Sequence, residues 1–495
     1  MRAHSALRGS PHPDSRRDAS GRDDPWRAGP FRLASLVLVV LVATLVPAAP
    51  AAAAGDTGLD ALRAEIARMR EDYESRIAAL ERRVEVAESV AQGAQSVAQG
   101  AQLAARGAQS AAQGAERAAA APAAPQSSAS AFNPAFSTIL QGRYAAFTGP
   151  EGFRQIPGFL LGEETGRGPK GLSLSETEFD ISANIDDQFY GFVDFALNQE
   201  NGSTSIELEE AYLETLALPA GFTVKAGQFF SAIGYQNARH SHVWDFVDQP
   251  LAYEALLGNQ LLDAGIQVSW VAPTDTYLEL GGELFSGDGF PGAGHGHRGV
   301  GSRSLFVKLG GDVGDSHSWR AGLSYLGTNP RGRISEGANG NLSFTGQSDI
   351  LAADLVWKWA PGGNVRERNF IFQTEYLIRR ERGRLGMEGA PSDGHYRGRG
   401  HGFYVQGTYQ FVPRWRAGVR YGQVFSSNDV SDPAATALLR DDLSPWKASA
   451  MIDFSNSEFS RLRFQVSHEG GGLGDDNLFF LQYIMSIGSH GAHEF

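Results

Sequence analysis

The sequence predicts an all-β fold, a 16-stranded antiparallel transmembrane β-barrel preceded by an α-helical coiled coil. Three observations predict it. From residue 131 onwards apolar side chains recur with period two. Short and long connections alternate between the resulting strands. Several strands set apolar side chains on one face and arginines on the other, which inverts a soluble sandwich and suits a barrel in lipid around a wet lumen.

Composition narrows the classes first. The 495 residues suffice for two or three domains or one large closed architecture. No run outside the N-terminal stretch approaches the 18 apolar residues of a spanning helix, which excludes a helical multi-span protein. Cysteine is absent, so disulfides, thiol nucleophiles and thiolate metal sites are excluded. A formal charge of −13 argues against a nucleic-acid partner. Sixty glycines among many alternating segments fit β structure with many turns.

Residues 1–54 read as a signal peptide with a long basic leader. Arg27 and Arg32 precede the apolar run 33–46, and small residues follow up to a cleavage point near Ala53 or Ala54. A membrane anchor is the competing reading, for which the run is too short. Residues 55–117 predict a periplasmic coiled coil. Leu59, Leu62, Ile66, Met69 and Tyr73 follow a 3-4-3-4 spacing, and Ile77, Leu80, Val84 and Ala87 resume it after a stutter. Glycines at 93, 100, 107 and 114 then recur every seven residues; self-association and a low-complexity spacer both fit this part. Residues 118–130 read as a linker, and 131–495 as the barrel.

Sixteen candidate strands lie near 137–147, 172–184, 188–197, 205–216, 222–230, 264–271, 275–286, 304–311, 316–327, 348–359, 368–380, 402–412, 414–426, 446–455, 459–468 and 477–487. Trp415, Ala417, Val419 and Tyr421 oppose Arg414, Arg416 and Arg420, and Leu462, Phe464 and Val466 oppose Arg461 and Arg463. Short gaps such as 185–187, 272–274 and 413 alternate with longer ones such as 148–171, 231–263 and 427–445. That pattern places turns in the periplasm, loops outside, and the coiled coil in the periplasm of a bacterial outer membrane. Phe495 ends the chain as an assembly signal for barrel insertion. A soluble propeller or sandwich is the competing architecture.

The segment Val224–Gly234 (VKAGQFFSAIG) is similar to the G-Q-F and aromatic–glycine stretch of the phosphate-selective porin family, the O and P type porins. The stretches 132–145, 209–231, 240–258 and 480–495 more closely resemble porin-like outer-membrane proteins often labelled TonB-dependent or zinc-regulated receptors. The resemblance covers essentially 132–495 and implies a sixteen-stranded homotrimer for passive uptake. A receptor coupled to TonB would carry a plug domain, where this sequence has a coiled coil. A phosphate pore would be strongly cationic, yet the only lysines are Lys170, Lys225, Lys308, Lys358 and Lys447.

Charge is uneven along the barrel. Residues 131–300 hold 22 acids against 7 Lys and Arg, and 301–495 hold 20 against 21, so the first part is strongly acidic and the second nearly balanced. Glu176, Glu178, Asp180, Asp194, Glu210 and Glu214 are candidate lumen acids; Lys308, Arg320, Arg414, Arg416, Arg420, Arg461 and Arg463 are candidate lumen bases. They either set a field across the lumen or pair as struts. The loop 231–263, after the fifth predicted strand, is the candidate constriction, with His240, His242, Trp244, Asp245 and Asp248. His240, His242 and Asp245 carry ligand types that suit a zinc-like divalent ion, and packing of the loop against its wall explains the same residues without one. His295, His297, His490 and His493 read as loop-tip or terminal residues.

No G-x-S-x-G elbow, H-E-x-x-H or phosphate loop appears, and Glu209 and Glu210 fall on opposite faces of a regular strand, so the sequence predicts no enzyme and no cofactor beyond that candidate zinc. The expected function is an outer-membrane porin for small hydrophilic or ionic solutes; the alternative is a metal-responsive or TonB-coupled receptor. Outer-membrane lipid, small solutes or ions and cell-wall contact through the coiled coil are the expected partners.

Overall fold

The computed structural model describes residues 134–151, 155–162, 165–200, 203–293, 299–336, 340–389, 394–431 and 440–488; side chains of 198–200, 203 and 204 are not described. The predicted signal peptide, coiled coil and linker, together with His295, His297, His490, His493 and Phe495, lie outside these residues.

Eighteen strands appear among the described residues. They are β1 (Ala135–Phe147), β2 (Gly171–Leu174), β3 (Thr177–Asn184), β4 (Phe189–Glu200), β5 (Ser203–Thr215) and β6 (Phe222–Phe230). Next come β7 (Leu262–Val271), β8 (Tyr277–Phe285), β9 (Ser302–Val313), β10 (His317–Thr328), β11 (Arg331–Ser335) and β12 (Leu342–Trp359). The last six are β13 (Asn369–Met387), β14 (His395–Val412), β15 (Trp415–Val430), β16 (Trp446–Ser457), β17 (Ser460–Gly470) and β18 (Asp476–Gly488).

These make sixteen staves. Strands β2 and β3 both pair with β1 and form one stave broken at Ser175 and Glu176. Strands β10 and β11 likewise share the same edge of β12. All pairings are antiparallel, and β1 pairs with β18 from Ser137 opposite Gly488 to Phe147 opposite Leu478, which closes the sheet. Closure of β18 onto β1 leaves the sheet with no terminal edge strand, a condition for strands to cross lipid.

The two faces follow the alternation. Val419, Tyr421, Leu462, Phe464, Phe479, Leu481 and Tyr483 are exposed outside, while Arg420, Arg463, Gln465 and Gln482 between them are buried inside. Water would penalise such an outer band, whereas hydrocarbon accepts it. Among the described residues no helix is long and apolar enough to cross a membrane.

The ladders from β12 to β15 run further than the sequence predicts. Strand β12 starts at Leu342 rather than near 348, β13 continues to Met387 rather than 380, and β14 starts at His395 rather than 402. The added residues include Arg382, Arg384, Arg397 and Arg399, whose polarity hides the alternation. At roughly 3.4 Å per residue an 18-residue strand reaches about 60 Å. Even tilted, it passes beyond an apolar band about 25 Å tall, and the backbone pairing continues where side-chain patterning has ended.

A second predicted pattern also fails locally. Asp194 pairs with Glu210 but Phe195 with Leu208, so Glu209 is an extra residue in β5. This bulge turns Glu209 and Glu210 both toward the lumen, against the opposite-face expectation of a regular strand. Gln228 on β6 donates its side-chain amide to the carbonyls of Leu208 and Glu209, at 2.7 and 3.0 Å, and so satisfies the bulged backbone.

Candidate constriction and metal centre

The segment between β6 and β7 enters the barrel and is fastened at each stage. At its start Glu283 of β8 accepts hydrogen bonds from Ser231 Oγ (2.6 Å) and the Ala232 amide (2.8 Å). Asn237 ties the two ends of the loop together, donating to the carbonyls of Ser231 and Leu261 and accepting from the Leu261 amide. Glu375 of β13 accepts from the amides of Tyr235 and Gln236 (2.9 and 3.0 Å) and from the hydroxyls of Tyr253 and Tyr404 (2.8 and 2.5 Å). The chain then crosses the lumen between Gln236 on this wall and His240 on the wall of β3, β4 and β5.

Gly234 permits the first bend. Its φ is +68°, and a Cβ there would lie 2.4 Å from both Glu375 Oε2 and Tyr253 Oη. Further along, Pro250 precedes helix α1 (Leu251–Leu257), all seven residues of which are buried. The helix packs against β13, β14 and β15 and joins Ile156, Phe159 and Leu161 in one apolar cluster. Arg379 of β13 donates to the carbonyls of Leu256 and Leu160, both at 3.0 Å, so one guanidinium anchors the helix end and the loop after β1.

At the acidic wall two histidines meet carboxylates. His240 Nε2 lies 2.9 Å from Glu210 Oε2, and its Nδ1 lies 3.6–3.7 Å from oxygens of Glu178, Asp194 and Glu209. His242 Nδ1 lies 2.7 Å from Glu178 Oε2. Glu178 and Asp194 are wholly buried. Glu176 joins Glu178 and Glu209 from the break between β2 and β3, and Asp180 joins Glu178 and Asp194 while accepting from Ser137 Oγ. Burial opposes charge on His240, but the carboxylates of Glu209, Glu210 and Glu178 outweigh it and raise its pKa well above the ordinary imidazole range.

Five residues later the loop meets the basic wall. Arg416 donates to Asp245 Oδ1 (2.5 Å) and to Asp453 Oδ2 (2.7 Å). Arg463 donates to Asp453 Oδ1 and to the Trp244 carbonyl, both at 2.8 Å. Arg461 stands beside Arg416, Arg463 and Asp453. Asp248 is gripped by Arg420, by Lys447 and by Gln465 Nε2 at 2.9 Å. Burial pushes the Asp248 carboxyl up, yet Lys447 and Arg420 outweigh it and hold the pKa below the carboxylate range.

The structure therefore joins most of the sequence-predicted residues into two groups bridged by the loop, the histidines with acids and the aspartates with arginines. Two positions differ. Asp245 is bound by Arg416 and leaves the histidines; Glu178 takes its place beside them. Arg414 is exposed in the turn between β14 and β15 with a φ of +73°, outside the lumen, because the strand period ends before it. Lys308 faces the lumen from β9, paired with Glu279 at 3.2 Å. Of the residues that sequence reasoning left out, Glu375, Lys447 and Asp453 follow from the alternation of their strands, and Glu209 required the bulge. Around the crossing stand further cations: Arg239 and Arg320 lie 5.0 and 4.7 Å from the Tyr235 ring centre, Arg320 paired with Asp354 at 3.7 Å, with Lys358 nearby.

No family model matches the chain. Among solved structures the fold is similar to the outer membrane channel DcaP of Acinetobacter baumannii, with a TM-score of 0.48, 14% identity and coverage of 74% of this chain and 100% of that one. It is also similar to an anion-selective porin from Comamonas acidovorans, with a TM-score of 0.45, 8% identity and coverage of 72% and 100%. Sequence similarity is stronger to an uncharacterized protein of Aquifex aeolicus (strain VF5), which is 33% identical over 349 residues, 66% of this chain and 70% of that protein. At that identity and coverage, the chain belongs to the same protein family as the Aquifex aeolicus protein.

Proposed function

We propose that this protein is an outer-membrane channel through which small hydrophilic or ionic solutes diffuse, with the loop 231–263 as its constriction. The observation that carries the reading is the loop itself, fastened to Glu375 on one wall and to Glu178 and Glu210 on another inside a closed barrel with an apolar exterior. A loop held at both ends narrows a lumen without swinging in it, which is what size exclusion needs. The sign of the selected ion follows from what lies beside the crossing. Arg239, Arg320 and Lys358 surround Tyr235; Arg320 is paired with Asp354 at 3.7 Å, and Asp245 and Glu375 are further acids in range. Arg239, at the crossing itself and 5.0 Å from the Tyr235 ring centre, is the cation through which the passage favours small anions. The proposal includes a homotrimer, supported by a shallow outer groove on β14–β16 lined by the small side chains of Gly407, Ala417, Ala448 and Ala450.

The test is single-channel recording of the refolded full chain in a planar bilayer under a salt gradient. Stepwise openings in threes, with a reversal potential on the anion side that falls toward zero in Arg239→Gln, are expected. A second reading, a barrel that stays shut until a substrate moves the loop, is favoured by the complete burial of helix α1. Its signature is a folded protein that inserts and passes no current.

A further inference from the structure

We infer that the acidic wall and the loop histidines form a binding site for one first-row divalent transition metal ion, which staples the constriction loop to the barrel. The ligands are Glu178 from β3, His240 and His242 from the loop, and Asp194 and Glu209 from β4 and the β5 bulge. The inference rests on the reading of that loop as a constriction only for its consequence, not for the site.

Spacing around His240 carries the argument. Its Nδ1 has three carboxylate oxygens at 3.6–3.7 Å, from Glu178, Asp194 and Glu209. These three near-equal distances are slightly wider than the roughly 3.0–3.5 Å between donors about 2.1 Å from a shared metal, so a small contraction around an ion would bring the four atoms into its shell. The other ring nitrogen is engaged by Glu210 at 2.9 Å, which leaves Nδ1 as the ligand and supplies the outer carboxylate that orients a metal-binding imidazole. His242 Nδ1 lies 2.7 Å from the same Glu178 oxygen, a hydrogen-bond distance that an ion would open, and the ligand atoms of Glu178, His240 and His242 lie within 4.8 Å of one another.

Burial provides an independent reason. Both oxygens of Asp194 are buried without a hydrogen bond of good geometry, and Glu178 Oε2 is buried against the two histidine Nδ1 atoms. Glu178 and Asp194 are 0% exposed, and a carboxylate so placed is costly unless a cation or proton meets it. Two imidazoles among the ligands select zinc or cobalt over magnesium or calcium, whose sites are built from oxygen alone. The bulge acquires a purpose here: without Glu209 as an extra residue, only one of the adjacent glutamates would face the lumen.

The probe is Co2+ and Zn2+ added to the refolded full chain in detergent after chelator treatment, with metal content by mass spectrometry and the visible spectrum of the Co2+ form. One equivalent per chain is expected, with Kd weakened more than a hundredfold in His242→Ala and in Glu178→Gln. Glu210→Gln, which loses only the outer carboxylate, should weaken binding about 10–100-fold and leave the Co2+ spectrum in place. Heat-modifiable migration in gels shows that each variant is folded, and His401→Ala on the outer face serves as control. Less than 0.2 equivalents bound (about the level of nonspecific carry-over, set against the one-site expectation) overturns the inference. So does an equivalent that survives His242→Ala and Glu178→Gln but vanishes in His295→Ala/His297→Ala. Neither result depends on current, so an open channel without metal leaves the porin reading intact.

Discussion

Arg416 of β15 bridges two aspartates, Asp245 on the constriction loop and Asp453 on the adjacent stave, through separate nitrogens of one guanidinium. Asp453 is also held by Arg463, whose Nη2 donates as well to the Trp244 carbonyl. The loop thus inserts its own acid into a wall of arginines that would otherwise repel one another. At the other end it inserts histidines among acids. The two signs of the loop match the two signs of the wall, which makes the charges struts first and a field second.

Asp245→Asn should loosen this end of the loop while Arg416 keeps Asp453. Loss of one charge-assisted bond costs about 1.5–3 kcal/mol. A double-mutant cycle of Asp245→Asn with Arg416→Gln, read by urea unfolding in detergent, should give a coupling of about 1–3 kcal/mol. The reversal potential should move toward anions in Asp245→Asn and toward cations in Arg416→Gln. Additive effects in the cycle, with no change of ion preference in either variant, would show that this pair neither holds the loop nor lines the passage.

Acid should release the same end of the loop through Asp248. Its folded pKa is depressed below the unfolded value of about 3.9, so the stabilisation is complete well above that pH. It is lost progressively as pH falls from about 5 through the unfolded value toward the folded one. The melting temperature should be flat from pH 7 to about pH 5 and then fall, with a shallower acid limb in Asp248→Asn. An identical acid limb in the variant counts against the latch formed with Lys447 and Arg420.

Most of the wall is legible in the sequence, because period-two alternation is a direct consequence of strand geometry in a two-solvent environment. Trp415 to Tyr421 against Arg416 and Arg420 is enough to orient that stave. The loop's residues were legible as a set, yet their partners were not. Which carboxylate meets His242 depends on staves that are distant in sequence, and Asp245 was grouped with the histidines only because it is near them in the chain. Glu209 was beyond reach for another reason: a bulge is fixed by the partner strand, with Gln228 and Glu210 supporting it from β6 and β5. Arg414 shows the converse, since it keeps the parity of Arg416 but lies past the strand end.

Gly234 tests how tightly the first bend is held. Alanine there meets both an unfavourable φ of +68° and Glu375 Oε2 and Tyr253 Oη at 2.4 Å from its Cβ. Gly389 has a φ of +74° with nothing within 4 Å of a Cβ, so Gly389→Ala isolates the backbone part, about 1 kcal/mol. Gly234→Ala should exceed it by roughly 1–3 kcal/mol through the displaced Glu375 bonds, and should expose the loop to protease. Equal losses in unfolding experiments on the two variants would mean that Glu375 yields freely and does not clamp the loop.

The lipid-facing assignment of the outer surface has a test that depends on depth alone. Leu481 lies in the middle of β18 and Ile487 next to its end, both exposed on the same outer face. In a bilayer, arginine near the midplane costs about 2–4 kcal/mol and near the interface about 0–1 kcal/mol. Leu481→Arg should therefore refold poorly into vesicles, while Ile487→Arg refolds almost as the parent does. A barrel standing in water has no depth coordinate, and arginine on its outer face would be tolerated equally at both positions. Comparable refolding yields of the two variants would accordingly remove the bilayer from this account, whereas a steep difference would fix β18 across it, with Ile487 toward the interface.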